Sequence, residues 1–357
     1  MKLRRALYGL RESPNVWNST IDTELKTLGF SATACDPCVY TKGSHGGHIM
    51  LTLFVDDILM TGPSINLLHE VQDLLKTKFS ISELGPVSLI LRMEVIRDEA
   101  RGTLKLWQHN YVKYLLLKFG MDSSNPVHTP GTPGQLFEDT PEDNFLGLSE
   151  RTKYQPMVGS LIFLAQSTRF DIAFSVSQVA RRMGKPNIHH LTPVKRVFRY
   201  LKGKPDLPLT YSTSGNNLNL IGFCDAPYGN SGIQGELRST TGTMFFLAGG
   251  PVHFSSSLQR ITATSTTEAE LIALAKCGKF GTYLFNLLRE LGWSFMEPAT
   301  IYSNSQGALH LSRNAIYSSS SKHLAIRFFN SKDMIWTGQL KSNHIRSGHQ
   351  LADILTK

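Results

Sequence analysis

Two adjacent carboxylates interrupt the most apolar stretch of this 357-residue chain. Residues 49–55 are mainly apolar, Asp56 and Asp57 follow, and 58–60 resume the apolar pattern. Neighbouring carboxylates repel each other and are costly to desolvate. A divalent cation would offset that repulsion, as it does at phosphoryl-transfer sites. The equally weighted alternative is an exposed hairpin tip with acidic turn residues.

A cationic segment in the middle of the chain suits a polyanion. Residues 151–220 carry 11 basic and 2 acidic side chains, so their net charge equals the +9 of the whole chain. The spacing predicts a helix capped by Thr192, with Pro193 at its first position and Gly203 at its end. A solvated basic face is the alternative to nucleic-acid contact. The candidate nucleic-acid-binding residues are Arg181, Arg182, Lys185, Lys195, Arg196, Arg199 and Lys202.

The elements that must position these groups alternate between helix and strand, which predicts an α/β protein. Helices are predicted at 13–29, 67–79, 111–119, through much of 151–204, and from 265; strands are predicted at 38–42, 49–55, 87–96, 103–107, 218–224, 242–247, 251–254 and 299–303. Residues 122–150, rich in proline, have the composition of a linker. The helical spacing of Tyr111, Tyr114 and Phe119 favours helix core over a base-stacking platform.

Composition excludes two classes of protein. No apolar run reaches the ~18 residues of a membrane-spanning helix, so we expect no membrane partner. Four cysteines do not make a disulfide scaffold at this length, and a reducing compartment is the default.

Short motifs along the chain resemble one family in the same order. Phe-Val-Asp-Asp at 54–57 resembles the Tyr/Phe-Val-Asp-Asp box of reverse transcriptases, and Leu-Tyr-Gly-Leu-Arg-Glu-Ser-Pro at 7–14 is similar to a segment of Ty1/copia-type retrotransposon polymerases. Thr-Arg-Phe-Asp-Ile at 168–172 and Arg-Tyr-Leu-Lys-Gly at 199–203 resemble further family segments. Residues 350–357 resemble the end of its RNase H-like region.

The resemblance implies a fold and a function. The fold would be an α+β palm remnant with thumb-like helices plus an RNase H-like α/β domain. The implied division is an amino-terminally truncated palm and thumb at 1–121, a linker at 122–150, a basic helical connector at 151–212 and the RNase H-like domain at 213–357. The implied function is RNA-directed DNA synthesis with degradation of RNA in hybrids, in the cytoplasm, the nucleus or both.

The resemblance also implies a second acidic site. Asp225, Glu270 and Asp353 match three of its four carboxylates, and Asn304 stands where the family normally has Asp. Glu268 is the alternative to Glu270, although Ser265-x-x-Glu268 also reads as a helix capping box. Ordinary strand-end polar groups are the alternative for the whole set.

Metal ions and nucleic acids are the implied partners. Mg²⁺, with Mn²⁺ possible, would be held by Asp56, Asp57, Asp225, Glu270 and Asp353. Binding would be weakened because the Asn304 amide is a poorer ligand for a hard cation than a carboxylate. Ala325 also replaces an Asp that the family usually has. The nucleic-acid partners would be RNA, DNA and RNA–DNA hybrid.

Three functional hypotheses remain open at this stage. The chain is a degenerate retrotransposon product with little catalysis, a residual RNase H, or a non-enzymatic nucleic-acid binder that uses the basic residues at 181–202. Cleavage of a hybrid separates the second hypothesis from the others, and salt-sensitive binding without cleavage favours the third.

We predict no reverse transcriptase activity from this chain alone. The family's third polymerase carboxylate lies upstream of the box at 7–14, and two-metal transfer needs enough ligands for both ions. Glu12 replaces the usual Gln, and Arg92 replaces a Gly. Nucleotide incorporation on a primed RNA template, with an intact family polymerase as positive control, is the measurement; incorporation by this chain would contradict the prediction.

Overall fold

A computed structural model describes residues 9–44, 47–132, 134, 146–213, 218–232, 235–294, 297–313 and 333–357. Leu7 and Tyr8, residues 133 and 135–145 of the predicted linker, and Ala325 lie outside the described residues. The mixed α/β class predicted from the sequence is confirmed by several sheets and helices.

Strand pairing divides the chain differently from the motif-based domains. One compact unit comprises Met1–Val87 with Tyr283–Phe295, and the other comprises Ser88–Thr282 with Met296–Lys357. The division falls after residue 87, whereas the motifs place a boundary after 121. The physical reason is that the strand Thr103–Trp107 pairs with Leu209–Ser212, which joins the segment after 88 to the later chain.

The first unit is an antiparallel sheet packed against two helices. Its elements are α1 (Ser13–Thr27), β1 (Ser31–Ala32), β2 (Val39–Ser44), β3 (Gly47–Phe54), β4 (Asp57–Thr61) and α2 (Ile65–Lys76), with the strands in the order β1-β2-β3-β4. Ile21 and Leu25 of α1 are fully buried beside Leu51 of β3 and Leu75 of α2. Both predicted helices and the hairpin are confirmed, with helix ends within three residues of the prediction.

The second unit begins with an antiparallel sheet and a helical core. The strands are β5 (Leu89–Ile90), β6 (Met93–Asp98), β7 (Thr103–Trp107) and β8 (Leu209–Ser212); the helices are α3 (His109–Lys118), α4 (Leu148–Ser167), α5 (Ala173–Ala180) and α6 (Ile188–Gly203). One buried cluster joins these helices, with Leu115, Leu161, Val176 and Phe198 each at 2% exposure or less. The mostly helical prediction for 151–204 is confirmed.

A mixed five-stranded sheet completes the second unit. Its strands are β9 (Ile221–Asp225), β10 (Thr240–Leu247), β11 (Gly250–Leu258), β12 (Ala299–Ser303) and β13 (Leu340–His344); its helices are α8 (Gln306–Arg313) and the part of α7 (Thr266–Glu290) up to Thr282. The strand order is β11-β10-β9-β12-β13; the first three are antiparallel, whereas β12 runs parallel to β9 and β13. The last residues of the unit form a short 3₁₀ helix, Leu351–Leu355.

Two glycines let α7 approach this sheet closely. A Cβ at Gly222 would lie 2.6 Å from the Phe245 ring, and one at Gly281 would lie 2.9 Å from it. Phe245 is fully buried. The absent side chains therefore make the space for the ring and seat α7 over the central strands.

The basic helix begins earlier than predicted. Asn187 caps it, not Thr192: the Asn187 side chain accepts a bond from the His190 amide at 3.1 Å, and His190 Nδ1 accepts from the Asn187 amide at 3.0 Å. Both side chains are buried. Pro193 lies inside the helix, where its missing N–H removes one backbone bond. The reciprocal bonds of Asn187 explain why the helix starts one turn sooner.

The core prediction for α3 is wrong at Tyr114. This side chain is 50% exposed, and Tyr111 and Phe119 are only partly buried. Val112, Leu115 and Leu116 face the core instead. Separately, no helix within the described ranges is long and apolar enough to cross a membrane.

Capping variants test the revised helix start. Asn187→Ala removes the side-chain acceptor for the His190 amide, and we expect it to lower the free energy of unfolding by about 1–2 kcal/mol. Thr192→Ala, at the predicted cap, should change it by less than about 0.5 kcal/mol because the position is exposed. Urea denaturation measures both, and equal losses would contradict the assigned start.

Candidate active site

The candidate site lies where two parallel strands end side by side. Asp225 is the last residue of β9, and Asn304 directly follows β12. The two strands pair in parallel from Thr300↔Ile221 to Tyr302↔Phe223. The carboxyl edge of such strands is a common place for polar sites in α/β sheets. Parallel pairing therefore brings together residues that are far apart in the sequence.

The two candidate glutamates in the first turn of α7 have different hydrogen-bond partners. Glu268 is turned back to the helix start, where its carboxylate accepts bonds from the Thr264 amide at 2.6 Å and the Thr264 hydroxyl at 2.7 Å. Ser265 Oγ in turn accepts a hydrogen bond from the Glu268 amide at 3.1 Å. Glu270 instead hydrogen-bonds the Asp225 side chain and accepts from the Ala226 amide. The structure thus places Glu270, not Glu268, beside Asp225.

The terminal 3₁₀ helix brings Asp353 to the same place. Gln350 Nε2 donates to the Cys224 carbonyl at 2.9 Å, which ties this segment to the end of β9. Gly242 on β10 faces it, and a Cβ there would lie 2.8 Å from the Ala352 carbonyl oxygen. Asp353 then hydrogen-bonds the Asp225 side chain.

Asp225 is held by a direct bond from the same segment. Thr356 Oγ1 donates to Asp225 Oδ2 at 2.6 Å, and the Asn230 side chain donates to the Thr356 carbonyl at 2.7 Å. Asp225 is only 2% exposed. The motifs did not reveal the roles of Gln350, Thr356 and Gly242. Gln350 and Thr356 are polar residues that flank Asp353 in the sequence, and this position could have indicated their roles.

Burial sets the protonation of this cluster. Desolvation raises the pKa of Asp225. The hydrogen bond from Thr356 lowers this pKa, whereas the nearby Asp353 charge raises it further. Desolvation also raises the pKa of Glu270 to about 8, with the Asp225 charge adding and the Ala226 amide opposing. Asp225 and Glu270 therefore lose their protons less readily than exposed carboxyl groups do.

Lys357 supplies a positive charge at the exposed side of the cluster. Its Nζ lies 2.7 Å from Asp353 Oδ2. Burial alone would lower its pKa, but the Asp353 hydrogen bond and the charges of Asp225, Asp353 and Glu270 raise it. An ammonium thus offsets part of the acidic charge.

Three oxygens around the cluster are buried without a hydrogen-bond partner. They are Glu270 Oε2, Asp353 Oδ1 and Asn304 Oδ1. The Asn304 amide nitrogen lies 3.5 Å from Ser347 Oγ. Carboxylate and amide oxygens are the donors that Mg²⁺ takes, so the donor chemistry fits a hard divalent cation. In the part of the chain that the structure describes, no three His, Cys, Asp or Glu side chains stand in a metal-holding arrangement; Asp225 links its neighbours pairwise.

Asp56 and Asp57 lie in the other unit, at the tip of the β3–β4 hairpin. Phe54 pairs with Asp57, so Val55 and Asp56 form the turn, and both aspartates are exposed. Val55 has a φ of 55°, which is strained for a β-branched residue. Trp17 Nε1 donates to the Val55 carbonyl at 2.8 Å and holds the turn in this form.

Several of the predicted nucleic-acid contacts also have internal partners. Arg196 Nη2 donates to Thr129 Oγ1, Arg199 Nε to the Asn125 carbonyl and Lys202 Nζ to the Ser124 carbonyl, at 2.6–2.8 Å. These three residues therefore fasten the start of the predicted linker to α6.

Arg181 has an internal role of the same kind. It donates to the Ser231 carbonyl, to Gln178 Oε1 and to Thr240 Oγ1, and burial lowers its pKa to about 10. Arg182 is partly buried, whereas Lys185 and Lys195 are exposed. The structure thus leaves a smaller exposed basic surface than the sequence suggests.

Comparisons with known proteins cover the whole chain. The reverse transcriptase (RNA-dependent DNA polymerase) family matches residues 1–133. The chain is 34% identical, over its full length, to a retrovirus-related Pol polyprotein from transposon TNT 1-94 of Nicotiana tabacum, of which it spans 27%. It is 32% identical to the putative transposon Ty5-1 protein of Saccharomyces cerevisiae, over 77% of this chain and 87% of that protein.

Among solved structures, an RNase H1 is similar to part of the chain. It is an RNase H1 isolated from compost by a metagenomic approach, and the match covers 39% of this chain and 93% of that protein. The sequence identity is 20% and the TM-score is 0.30.

Glu270→Gln tests the buried acidic cluster through pH. The pKa of a glutamate in the unfolded chain is about 4.3, whereas burial raises the pKa of Glu270 in the folded chain to about 8. The unfolded state therefore binds fewer protons between these values, and wild-type stability falls as pH rises through that window. In EDTA we expect the variant to gain about 1–3 kcal/mol relative to wild type from pH ~5 to pH ~8.

Urea denaturation at a series of pH values measures this gain. Glu99→Gln, at a side chain that is 78% exposed, is the matched control and should run parallel to wild type. Parallel curves for Glu270→Gln and wild type would show that Glu270 keeps no proton in the folded chain.

Proposed function

The chain belongs to the Ty1/copia-type retrotransposon Pol proteins, and we propose that in this setting its carboxy-terminal site cleaves the RNA strand of RNA–DNA hybrids, at reduced efficiency. The observation that carries the proposal is the convergence of Asp225, Glu270 and Asp353 at the carboxyl edge of the mixed sheet. Because the chain spans about a quarter of the TNT 1-94 polyprotein, the reaction, its metal ion and its nucleic-acid substrates are all proposals for this chain.

Three carboxylates and one amide form the proposed ligand set. A bound Mg²⁺, or Mn²⁺, would supply Lewis acidity at the scissile phosphate and a lowered pKa for the attacking water. Asp225 and Glu270 would hold it because the two carboxyl groups lie side by side in a buried position, where a cation would offset their mutual repulsion. Thr356 keeps the Asp225 carboxylate oriented by its 2.6 Å bond.

Asn304 is the reason for the reduced efficiency. Its side-chain oxygen is buried and unpartnered, and the residue follows β12 where that strand runs parallel to β9 and Asp225, so we assign it a ligand position. An amide carries no negative charge, and it attracts a hard cation less than a carboxylate does. Lys357 adds a positive charge that a cation would have to displace or tolerate.

The polymerase part of the proposal concerns Asp56 and Asp57. Their exposure at a tight turn supports a role as carboxylates that hold Mg²⁺ at a growing DNA end, together with ligands from the rest of a Pol polyprotein. We assign residues 1–121 to the palm and thumb, 122–150 to a linker, 151–212 to a basic connector and 213–357 to the RNase H-like region.

A non-enzymatic nucleic-acid binder is the second candidate function. The exposure of Lys185 and Lys195 supports it. Phosphate contacts of this kind give strongly salt-dependent binding. Arg182, with the internally bonded Arg181, Arg196, Arg199 and Lys202, completes the proposed surface.

Cleavage of an RNA–DNA hybrid tests the proposed reaction. In Mg²⁺ and in Mn²⁺ we expect slow cleavage by the natural chain, faster cleavage by Asn304→Asp because a fourth carboxylate is present, and none by Asp225→Asn. We expect a gain of at least about tenfold, because loss of even an outer-shell partner of a metal ligand typically costs that much.

Asn343→Asp is the matched control. It makes the same chemical change on β13, at an exposed residue paired with Tyr302. Equal rates for both Asp variants would contradict the role of Asn304. Salt-sensitive hybrid binding with no cleavage by the natural chain or by Asn304→Asp would favour the non-enzymatic function.

A further inference from the structure

Four hydroxyl groups lie side by side on one face of the mixed sheet, at its β11 edge. Ser255 and Ser257 of β11 pair with Thr243 and Thr241 of β10. Directly paired residues of antiparallel strands point to the same face of a sheet, and residues two apart on one strand do so as well. We refer to Thr241, Thr243, Ser255 and Ser257 as the hydroxyl row.

The side chain of Lys276 on α7 ends at this row. Its Nζ donates to Ser255 Oγ at 3.2 Å and to Ser257 Oγ. The residue is exposed, so solvent reaches its side chain. Partial burial nevertheless lowers the pKa of the Lys276 amine, because desolvation disfavours the charged form.

The segments that build this position contain no acidic residue. No Asp or Glu occurs between Glu236 and Glu268, an interval that includes β10 and β11. None occurs between Glu270 and Glu290 of α7 either. Within the described residues, the Lys276 amine therefore has two neutral hydroxyl partners in place of a carboxylate.

Hydroxyl partners suit a lysine amine in both of its protonation states. A hydroxyl accepts a hydrogen bond from an ammonium and donates one to a neutral amine, whereas an ionised carboxylate only accepts. Lys357 shows the contrast, because its Nζ lies 2.7 Å from Asp353 Oδ2 and this contact raises the pKa of the amine. The neutral amine is the nucleophilic form, so the hydroxyl row leaves Lys276 the more reactive of the two.

Two rings stand beside the amine. His253, two residues before the row on β11, stacks on Phe280 of α7 with centroids 3.6 Å apart, and its Nε2 lies 3.3 Å from Thr243 Oγ1. Burial and the Lys276 charge lower the pKa of His253 to about 4, so its ring is neutral at neutral pH. Cys277, the other titratable group that acts on the amine, is fully buried.

We propose that Lys276 is a site of Nε-acylation by small activated acyl groups, whether thioesters or acyl phosphates. Its nitrogen attacks the acyl carbonyl carbon, and a carbon–nitrogen bond forms. The carbon–sulfur or carbon–oxygen bond to the leaving group breaks, the leaving group keeps the electron pair, and the nitrogen loses its proton to water. The Ser255 and Ser257 hydroxyls donate to the negative oxygen of the tetrahedral adduct. No residue of the acidic cluster takes part, so the inference is independent of the proposed nuclease.

Acylation of the full chain in the absence of any acyltransferase tests the proposal. Acetyl phosphate is added in one arm and acetyl-coenzyme A in the other, at neutral pH, and tandem mass spectrometry follows the acetylation of each lysine. Lys279, an exposed residue on the same helix, is the matched control. We expect Lys276 to react about tenfold faster than Lys279, which is a common scale for the effect of desolvation on the fraction of free amine. Faster reaction with one donor alone supports the site and identifies that donor class as its source.

Two comparisons connect the reactivity to the hydroxyl row. Ser257→Asp places a carboxylate beside the amine, and we expect it to slow acetylation of Lys276 to the rate of Lys279, because an ion pair retains the ammonium. Ser257→Thr keeps the hydroxyl and should keep the wild-type ratio of the two rates. In concentrated urea the two lysines of the wild-type chain should react at nearly equal rates, a result that needs no variant to fold.

Three results would overturn the proposal. The first is an equal rate at Lys276 and Lys279 in the folded chain with both donors. The second is an unchanged Lys276 rate in Ser257→Asp, which would separate the reactivity from the hydroxyl row. The third is a rate ratio that persists in urea, which would assign the reactivity to the local sequence and not to the fold.

Discussion

The carboxy-terminal unit depends on the burial of Asp225 between two other carboxyl groups. Three acidic groups in one partly desolvated place repel each other, and each loses hydration. The fold compensates with the Thr356 hydroxyl, the Ala226 amide, the Lys357 ammonium and the raised pKa values of Asp225 and Glu270. An arrangement so costly to the folded state is typical of functional sites, where strain and unusual pKa values are concentrated.

This constraint explains several features of the surrounding packing. The terminal 3₁₀ helix must lie close against β10, and Gly242 is required because any Cβ would meet the Ala352 carbonyl. Gln350 anchors the same segment to the end of β9. Gly222 and Gly281 seat α7 over Phe245, and the start of that helix then carries Glu270 to Asp225. Glycines and amide side chains thus position the acidic groups without themselves taking part in the chemistry.

Basic residues serve two different purposes in this chain. Arg181, Arg199 and Lys202 use their donors on backbone carbonyls and hold neighbouring segments together. Arg92 and Lys118 instead lie over aromatic rings at the surface. Total charge does not distinguish these uses, because a guanidinium that is bonded internally contributes the same formal charge as one that is free to meet a phosphate. Only the partners of each cationic side chain in the folded protein show whether that side chain is available to a phosphate.

The sequence by itself determined the family, the mixed α/β class and most helix and strand locations, because hydrophobic periodicity and ordered motifs are local properties of the chain. It also singled out Asp225, Glu270, Asn304 and Asp353 as one set. It could not decide how near these residues lie, since their meeting depends on the parallel pairing of β9 with β12 and on the docking of the terminal segment.

The helix start, the exposure of side chains and the cationic partners were likewise decided by tertiary structure. Asn187 prevails over Thr192 through a reciprocal bond with a buried histidine, and Tyr114 turns outwards because Val112, Leu115 and Leu116 fill the core. The linker segment accepts hydrogen bonds from Arg196, Arg199 and Lys202 of α6, which lie far from it in the sequence. Such contacts have no signature in the local sequence. The sequence did not predict these features because the residues that determine them meet only in the folded protein.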